Sequence, residues 1–277
     1  MTDDREKNPR AFEMTIDIDA PPGAVWDALT KAEELVRWFP LDARVEPGAG
    51  GSMTWSWGDM WSGTMRIDAW EPERLLRLID EQARPYDVDG GQSVAPGTTP
   101  ARVALEMTLE THQGKTRVRL VHSGFGHGAA WDDELDGVSS GWQFELRSLR
   151  HYLERHRGRE RHAAWAHTGI ARPIADVWSR LVSADGFPIG ASVLQPGGAY
   201  VVDAAGDRFS GTIELHLPGR DFFGTVAELG DGVFRLAAYP GGGKTGVTVW
   251  VATYKPEAER MRALQQRVQA TLDKLFT

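Results

Sequence analysis

The chain has 277 residues, of which 41% are hydrophobic and 25% are charged, and it contains no cysteine. These fractions are those of an ordinary globular protein that is long enough for two domains. The formal net charge of −8 and the lack of a basic stripe argue against nucleic acid as the main partner. No apolar run approaches the roughly 20 residues of a membrane span. Because the charged N-terminus also lacks the apolar segment of a signal peptide, we expect a cytoplasmic protein.

Hydrophobic periodicity predicts that the first half is a series of strands, with short helices after the first strand. Alternating apolar residues indicate strands at 12–19, 52–57, 61–70, 74–81, 102–111 and 118–125. Helical spacing is found at 24–29 and 31–37, and Trp26 and Leu29 are predicted to pack in the core. The loop at 83–100 is rich in Gly, Pro, Ser and Thr and is long for a connection inside a domain. Such loops are often lids or are disordered.

A further helix is predicted at residues 141–153, after a short acidic loop that follows strand 118–125. Trp142, Leu146, Leu149 and Leu153 recur at steps of four, three and four, which places them on one helical stripe. A last strand followed by an amphipathic helix, after several alternating strands, predicts a curved antiparallel sheet that closes around this helix.

The second half of the chain repeats the pattern of the first. Residues 18–29 align with residues 170–181 without a gap, and the later strands and the final helix follow in the same order. The apolar stripe of that final helix consists of Met261, Leu264, Val268, Leu272 and Leu275. The charge-dense joint at 155–162 is typical of a linker, so we predict one domain at 1–158 and a second at 159–277.

Residues 12–153 also carry a set of short motifs that are weak one by one and specific together. They are Ile18, Ala20-Pro21, Val25-Trp26, Leu29-Thr30, Arg37-Trp38-Phe39, residues 47–51, Gly63, Glu71-Pro72, Arg74-Leu75, residues 121–125 and Gly141-Trp142. With these motifs the first half resembles the Hsp90-ATPase-activator-homologue-like branch of the START/polyketide cyclase superfamily. The second half resembles a more divergent copy of the same domain.

This resemblance implies an α+β chain of two helix-grip domains in tandem, each a curved antiparallel sheet wrapped around a long C-terminal helix. It also implies binding of hydrophobic or aromatic small molecules, with cyclases and other enzymes among the members of the superfamily. Stimulation of Hsp90, the activity that gives this branch its name, is only weakly implied for this chain.

The candidate ligand site lies between the sheet and the last helix of the first domain. We expect a wedge there that admits a planar apolar guest and is lined by Trp38, Phe39, Trp55, Trp57, Tyr86, His122 and Trp142. The alternative is a solid core, in which these rings fill the wedge themselves. Only the first half has a loop long enough for a lid, because the second half replaces 83–100 with a tight Asp-Gly hairpin at 228–232.

Few motifs in the sequence indicate catalysis or metal binding. His122 faces inward and is the best candidate acid or base, although such a histidine is more often a core residue. The acidic residues at 132–136 are interpreted as the negatively charged start of a helix rather than as a cation site. Residues 87–98 depart from the calcium-loop pattern, and residues 241–245 are typical of a hairpin turn rather than of a phosphate loop. Without cysteines or suitably spaced histidines, neither a metal nor another cofactor is expected.

Three functions remain open at this point. The favoured one is a non-catalytic module that binds a small hydrophobic or aromatic molecule in the first domain. The second is a cyclase- or hydrolase-like enzyme that uses His122 with a polar residue such as Tyr86 or Arg102. The third is a chaperone-associated protein that acts through an exposed apolar surface. Homodimerisation is left open.

Overall fold

The computed structural model describes residues 10–58, 60–86, 88–89 and 98–277. The chain is divided into two compact units. The first unit ends at Gly158, and the second comprises residues 159–277 together with Val88 and Asp89.

The first unit is built on one seven-stranded antiparallel sheet. Its strands are β1 (Arg10–Ile18), β2 (Asp42–Glu46), β3 (Ser52–Trp57), β4 (Trp61–Glu71), β5 (Leu75–Ala83), β6 (Ala101–His112) and β7 (Lys115–Phe125). They lie in the order β1-β7-β6-β5-β4-β3-β2. The alternating pattern correctly predicts all of these strands except β2. That edge strand is missed because it is short and three of its five residues are charged.

Three helices accompany this sheet. They are α1 (Pro22–Thr30), α2 (Ala32–Leu35) and α3 (Ala129–His151). Helix α1 begins at a proline, whose missing N–H needs no partner in the first turn. It buries Trp26 and Leu29, as predicted. Helix α3 packs against β1 and continues into a wider π-helical turn at Tyr152–His156.

Helix α3 begins at Ala129 and not at residue 141, so the predicted acidic loop was wrong. The acidic residues belong to the first turns of the helix, where negative charge is favourable, and Asp132 lies in the first turn itself. Trp131, Leu135 and Val138 extend the stripe of Trp142 toward the N-terminus. The pattern is obscured because Ser139, Ser140 and Gly141 are weak helix formers in the middle of the helix.

The second unit repeats this architecture. Its strands are β8 (His162–Ile170), β9 (Ile189–Ala191), β10 (Ala199–Ala204), β11 (Asp207–Leu217), β12 (Asp221–Val226), β13 (Gly232–Gly241) and β14 (Lys244–Thr253). They lie in the order β8-β14-β13-β12-β11-β10-β9, and the helices are α4 (Ile174–Leu181) and α5 (Ala258–Phe276). Each strand therefore has the same place in the sheet as its counterpart in the first unit. The predicted pair of helix-grip domains is confirmed.

The core of the second unit is packed between its sheet and α5. All five residues of the predicted α5 stripe are buried, and the helix packs against β8 and β14. They join one cluster with inward-facing strand residues such as Val202, Phe222 and Val249. No helix in the described ranges is long and apolar enough to cross a membrane.

Two turns of the second unit test the sequence predictions. Strands β13 and β14 are joined by Gly242 and Gly243, whose φ angles of 62° and 76° confirm the predicted hairpin turn. The hairpin predicted at 228–232 is present between β12 and β13, but its loop is longer than the tight Asp-Gly turn expected there. Residues 227–231 form this loop, beginning with a 3₁₀ turn at Ala227–Leu229.

Candidate ligand cavity

A cavity of about 440 Å³ lies in the first unit and is lined by β3–β7 and α3. Pockets that hold small molecules measure about 300–1,000 Å³, so the space is large enough for a guest of a few fused rings. Aromatic residues contribute much of the wall: Phe39, Trp55, Trp57, Trp61, Tyr86, Phe125, Trp131 and Trp142. The rings therefore border the wedge without filling it.

Phe39 is the centre of this aromatic wall. It follows α2 and stacks on Trp142 of α3, with 5.3 Å between the ring centroids. Trp55 and Trp57 meet it edge to face at 5.3 and 5.1 Å. These two indoles point to the same side because side chains two residues apart on a strand share a face.

The wall continues in both directions from this centre. On one side Trp57 contacts Trp61 at 4.9 Å, and Trp61 contacts Tyr86 at 5.3 Å. On the other side a further series of rings runs from Trp142 through His122 and Phe125 to Trp131. Offset and edge-to-face contacts of this kind favour a fixed arrangement of the rings.

Gly124 places Phe125 on the cavity side of β7. Its φ of 88° lies in the left-handed region, and the pairing of β1 with β7 shifts register at this point. A Cβ on Gly124 would lie 2.2 Å from the carbonyl oxygen of Arg102. Because of this bulge, His122 and Phe125 both line the cavity although they are three residues apart.

His122 is held by Trp142. The indole Nε1 of Trp142 donates a hydrogen bond of 3.1 Å to Nδ1 of His122. Since an indole N–H can only donate, Nδ1 must be the unprotonated nitrogen and Nε2 must carry the hydrogen. Burial lowers the pKa of His122 to about 3, so the ring is neutral at ordinary pH. No described residue accepts a hydrogen bond from Nε2, and the side chain lines the cavity.

One face of α3 forms the wall opposite the sheet. Glu134, Val138, Gly141, Trp142 and Glu145 line the cavity at helical spacing. A Cβ built on Gly141 meets nothing within 4 Å, which identifies this glycine as the point where the helix borders open space.

Glu134 connects α3 to Tyr86, which lies in the loop after β5. Its Oε2 accepts a hydrogen bond of 3.0 Å from the backbone N–H of Tyr86. Burial raises the pKa of Glu134 to about 7. The carboxyl group therefore titrates near neutral pH at the cavity wall.

Few other polar groups reach the wall. Asp80 and Arg84 lie near the end of β5, where Asp80 accepts from the backbone N–H of Gln82 and Arg84 donates to the carbonyl oxygen of Thr98 at 3.3 Å. The Nε1 of Trp55 is buried and has no hydrogen-bond partner among the described residues.

Of the seven predicted site residues, the structure brings Phe39, Trp55, Trp57, Tyr86, His122 and Trp142 to the cavity. Trp38 lies elsewhere. It is only 1% exposed, stacks behind Phe39, and donates from Nε1 to the carbonyl oxygen of Ala28 at 2.8 Å. It is a core residue because the chain turns at this point and directs consecutive side chains to different layers.

Other residues of the wall were missed by sequence reasoning. They are chiefly Trp61, Phe125, Trp131, Glu134, Gly141 and Glu145. Those on α3 share a helical spacing that becomes visible once the helix starts at Ala129. Phe125 gives no such signal, because its orientation depends on the bulge at Gly124.

Two further predictions concern groups beside the cavity. Arg102 was considered as a partner of His122, but it pairs with Glu81 at 3.1 Å and does not line the cavity. The loop predicted as a lid, 83–100, is described only at 83–86, 88–89 and 98–100, and its remainder lies outside the described residues.

The corresponding positions of the second unit carry buried side chains. By strand register Val251 takes the place of His122, and Tyr200 takes the place of Trp55. Both are buried, and Tyr200 packs edge to face on Phe222 at 4.8 Å. The hydroxyl of Tyr200 donates to the carbonyl oxygen of Thr225.

A curved antiparallel sheet that grips a long helix over a cavity is a helix-grip fold. Residues 19–154 match the family described as Activator of Hsp90 ATPase homolog 1-like protein. The first unit matches this family over nearly its whole length, and the second unit repeats the same strand order. Members of the family bind hydrophobic ligands.

None of the curated proteins matches this chain. Among solved structures, the Aha1 dimer from Colwellia psychrerythraea is 19% identical, with 54% of this chain and 99% of that chain covered and a TM-score of 0.42. DynU16, a putative protein in the dynemicin biosynthetic locus, is 18% identical with a TM-score of 0.41. The di-domain ARO/CYC BexL from the BE-7585A biosynthetic pathway is 16% identical with a TM-score of 0.41. The last two matches cover 96% of this chain and 97% of the other.

Proposed function

We propose that the first unit binds a small planar aromatic molecule in the cavity between its sheet and α3. The observation that carries this proposal is the unfilled space of about 440 Å³ bordered by eight aromatic side chains. Burial of about 250 Å² of apolar ligand surface contributes roughly 6 kcal/mol before the loss of ligand freedom is subtracted. Binding no tighter than tens of micromolar is therefore expected for a guest of this size.

The environment of His122 supports binding rather than acid–base catalysis. A general base works best when its pKa lies near the working pH, and burial holds the pKa of His122 at about 3. Its hydrogen-bond partner is an indole rather than a second titratable group. In a binding site the Nε2–H of the neutral ring would orient a guest by donating to an acceptor atom.

The interaction hypothesis receives less support from the surface. The large apolar side chains exposed within the described ranges are Leu41, Val193 and Leu194. Single exposed apolar residues are normal, and binding faces usually present larger contiguous patches. Homodimerisation stays a prediction that light scattering of the purified protein would test.

Titration with N-phenyl-1-naphthylamine, a neutral dye that fluoresces in apolar pockets, tests the proposed function. Trp142→Ala removes the stacking on Phe39 and should weaken binding about tenfold or more. Trp250→Ala is the matched control, because Trp250 is a similarly buried indole of the second unit. Equal losses in the two variants would count against a site in the first unit, and absence of dye binding by the native protein would overturn the proposal.

A further inference from the structure

We propose that the guest is a lipophilic cation, an aromatic molecule whose positive charge lies beside Glu134 and against the rings of Trp61 and Tyr86. The inference rests on the proposed function and narrows it to one ligand class. Quaternary ammonium compounds, protonated aromatic amines and heteroaromatic cations share this chemistry.

The charged groups of the wall are mainly acidic. Asp80, Glu134 and Glu145 line the cavity, whereas Arg84 is the one basic side chain among the described lining residues. Glu145 is 9% exposed. Burying the Glu134 carboxylate beside an apolar space costs desolvation free energy, which a neutral hydrocarbon guest would not offset. A cationic guest would offset it.

Glu134 is the carboxyl group best placed to meet such a charge. Oε2 is engaged by the N–H of Tyr86, and no described residue donates to Oε1 or forms an ion pair with the side chain. Neighbouring acidic groups differ in this respect. Asp132, two residues before Glu134 on α3, pairs with Arg10, and Glu81 pairs with Arg102.

The rings of Tyr86 and Trp61 supply the aromatic part of the proposed cation site. The hydrogen bond from Tyr86 fixes that residue next to the carboxyl group, and the ring of Tyr86 contacts Trp61 edge to face at 5.3 Å. The faces of indole and phenol rings attract cations through their quadrupole, by about 0.5–2 kcal/mol each depending on solvation. Aromatic faces and a carboxylate therefore act on the same end of the guest.

The geometry of α3 separates this charged end from the apolar part of the cavity. Glu134 and Glu145 are eleven residues apart on one helical face, which corresponds to roughly 16 Å. Gly141 and Trp142 lie between them, where the wall is open and aromatic. A guest with its charge near Glu134 would thus direct its ring system toward Trp142 and Phe39.

A pair of guests of matched shape tests the inference. 1-Methylquinolinium and 1-methylnaphthalene are both planar two-ring molecules, and only the first is charged. Each would be used to displace N-phenyl-1-naphthylamine from the native protein. We expect the cation to bind about tenfold more tightly, which corresponds to about 1.4 kcal/mol.

Two variants test whether the preference for the cation depends on the charge of Glu134. Glu134→Gln keeps an oxygen for the N–H of Tyr86 and removes the charge, so the cation should lose about tenfold in affinity while the neutral guest is unaffected. Asp133→Asn removes the same charge from the adjacent position of α3, which does not line the cavity. It should leave both affinities unchanged, and circular dichroism would show that both variants keep the fold.

The outcomes separate the two proposals. If the neutral guest binds as well as the cation, or if Asp133→Asn lowers cation affinity as much as Glu134→Gln, the inference is overturned while aromatic binding stands. If the dye binds but neither guest displaces it, the inference fails while aromatic binding stands, and if the dye itself does not bind, both proposals fail. A loss of cation affinity confined to Glu134→Gln would establish the charged end of the site.

Discussion

The indole of Trp142 holds the imidazole of His122 in one tautomer through a hydrogen bond of 3.1 Å between Nε1 and Nδ1. This contact joins α3 to β7 across the cavity wall and leaves a fixed donor, the Nε2–H, on the cavity side. It fits the proposed role of His122 as an oriented hydrogen-bond donor to a guest.

The first prediction concerns the protonation state of His122. Burial holds its pKa at about 3, so nitrogen-detected NMR should show the neutral Nε2–H tautomer throughout the neutral and mildly acidic range. In Trp142→Phe the fixed donor to Nδ1 is lost, and both tautomers should be populated. Observation of an imidazolium ring in the native protein at about pH 5 would contradict this description.

Phe39 and Trp38 are adjacent in sequence and should behave differently when substituted. Phe39→Ala removes the ring that contacts Trp55, Trp57 and Trp142, so dye affinity should fall and the free energy of unfolding should decrease by about 3 kcal/mol. Trp38→Phe loses the bond to Ala28 and should destabilise the fold by about 1–2 kcal/mol without weakening dye binding. Chemical denaturation and dye titration of both variants check this; weaker dye binding in folded Trp38→Phe would show that Trp38 contributes to the site.

The pH dependence of cation binding follows from Glu134. Burial raises the pKa of this carboxyl group in the folded protein from 4.5 to about 7, so its contribution to stability is present below pH 4.5 and is lost as the pH rises toward 7. A bound cation favours the ionised form. Affinity for 1-methylquinolinium should therefore rise from about pH 6 to about pH 8 and level off above the pKa.

Other charged groups facing Glu134 across the cavity are Asp80 and Arg84 beside β5, together with Glu145 on its own helix. His122 on β7 stays neutral in this range because of its low pKa. Glu134→Gln should accordingly flatten the pH profile, while 1-methylnaphthalene gives a flat profile with the native protein. A cation profile that keeps its slope in Glu134→Gln would assign the titration to another group.

The second unit contains a buried ion pair that should matter for stability alone. Nη2 of Arg235 lies 2.8 Å from Oδ2 of Asp221, with side-chain exposures of 9% and 0%. Asp221→Ala leaves the guanidinium buried without this carboxylate and should destabilise the second unit by about 3–5 kcal/mol. Thermal unfolding measures the effect. Dye affinity should be unchanged, because all described residues of the cavity wall belong to the first unit.

Much of the fold is predictable from the sequence because alternation and helical spacing are local signals. Strands β3 and β4 and the stripe of α5 follow from them directly, and the internal repeat predicts that both units share one topology. The start of α3 is not predictable in the same way. Its first turns are acidic and its middle contains Gly141, so the sequence gives only a weak helix signal there. The start of the helix depends instead on tertiary packing, such as that of Trp131 against Phe125.

The cavity wall was predictable only in part. Alternation places Trp55 and Trp57 on one face, and the short apolar repeat places Trp142 on the helix face. The separation of Trp38 from Phe39 depends on how the chain turns after α2, and the orientation of Phe125 depends on the bulge at Gly124. Such features arise from tertiary packing, which a single sequence does not display.

Gly141 offers the most direct measurement of whether a guest occupies the cavity. Gly141→Ala adds one methyl group where a Cβ meets nothing within 4 Å, and it should strengthen α3 by about 1 kcal/mol. Gly141→Leu places a larger side chain in the same space and should reduce affinity for N-phenyl-1-naphthylamine at least tenfold, while Gly141→Ala retains most of it. Undiminished dye binding by folded Gly141→Leu would contradict a guest site between the sheet and α3.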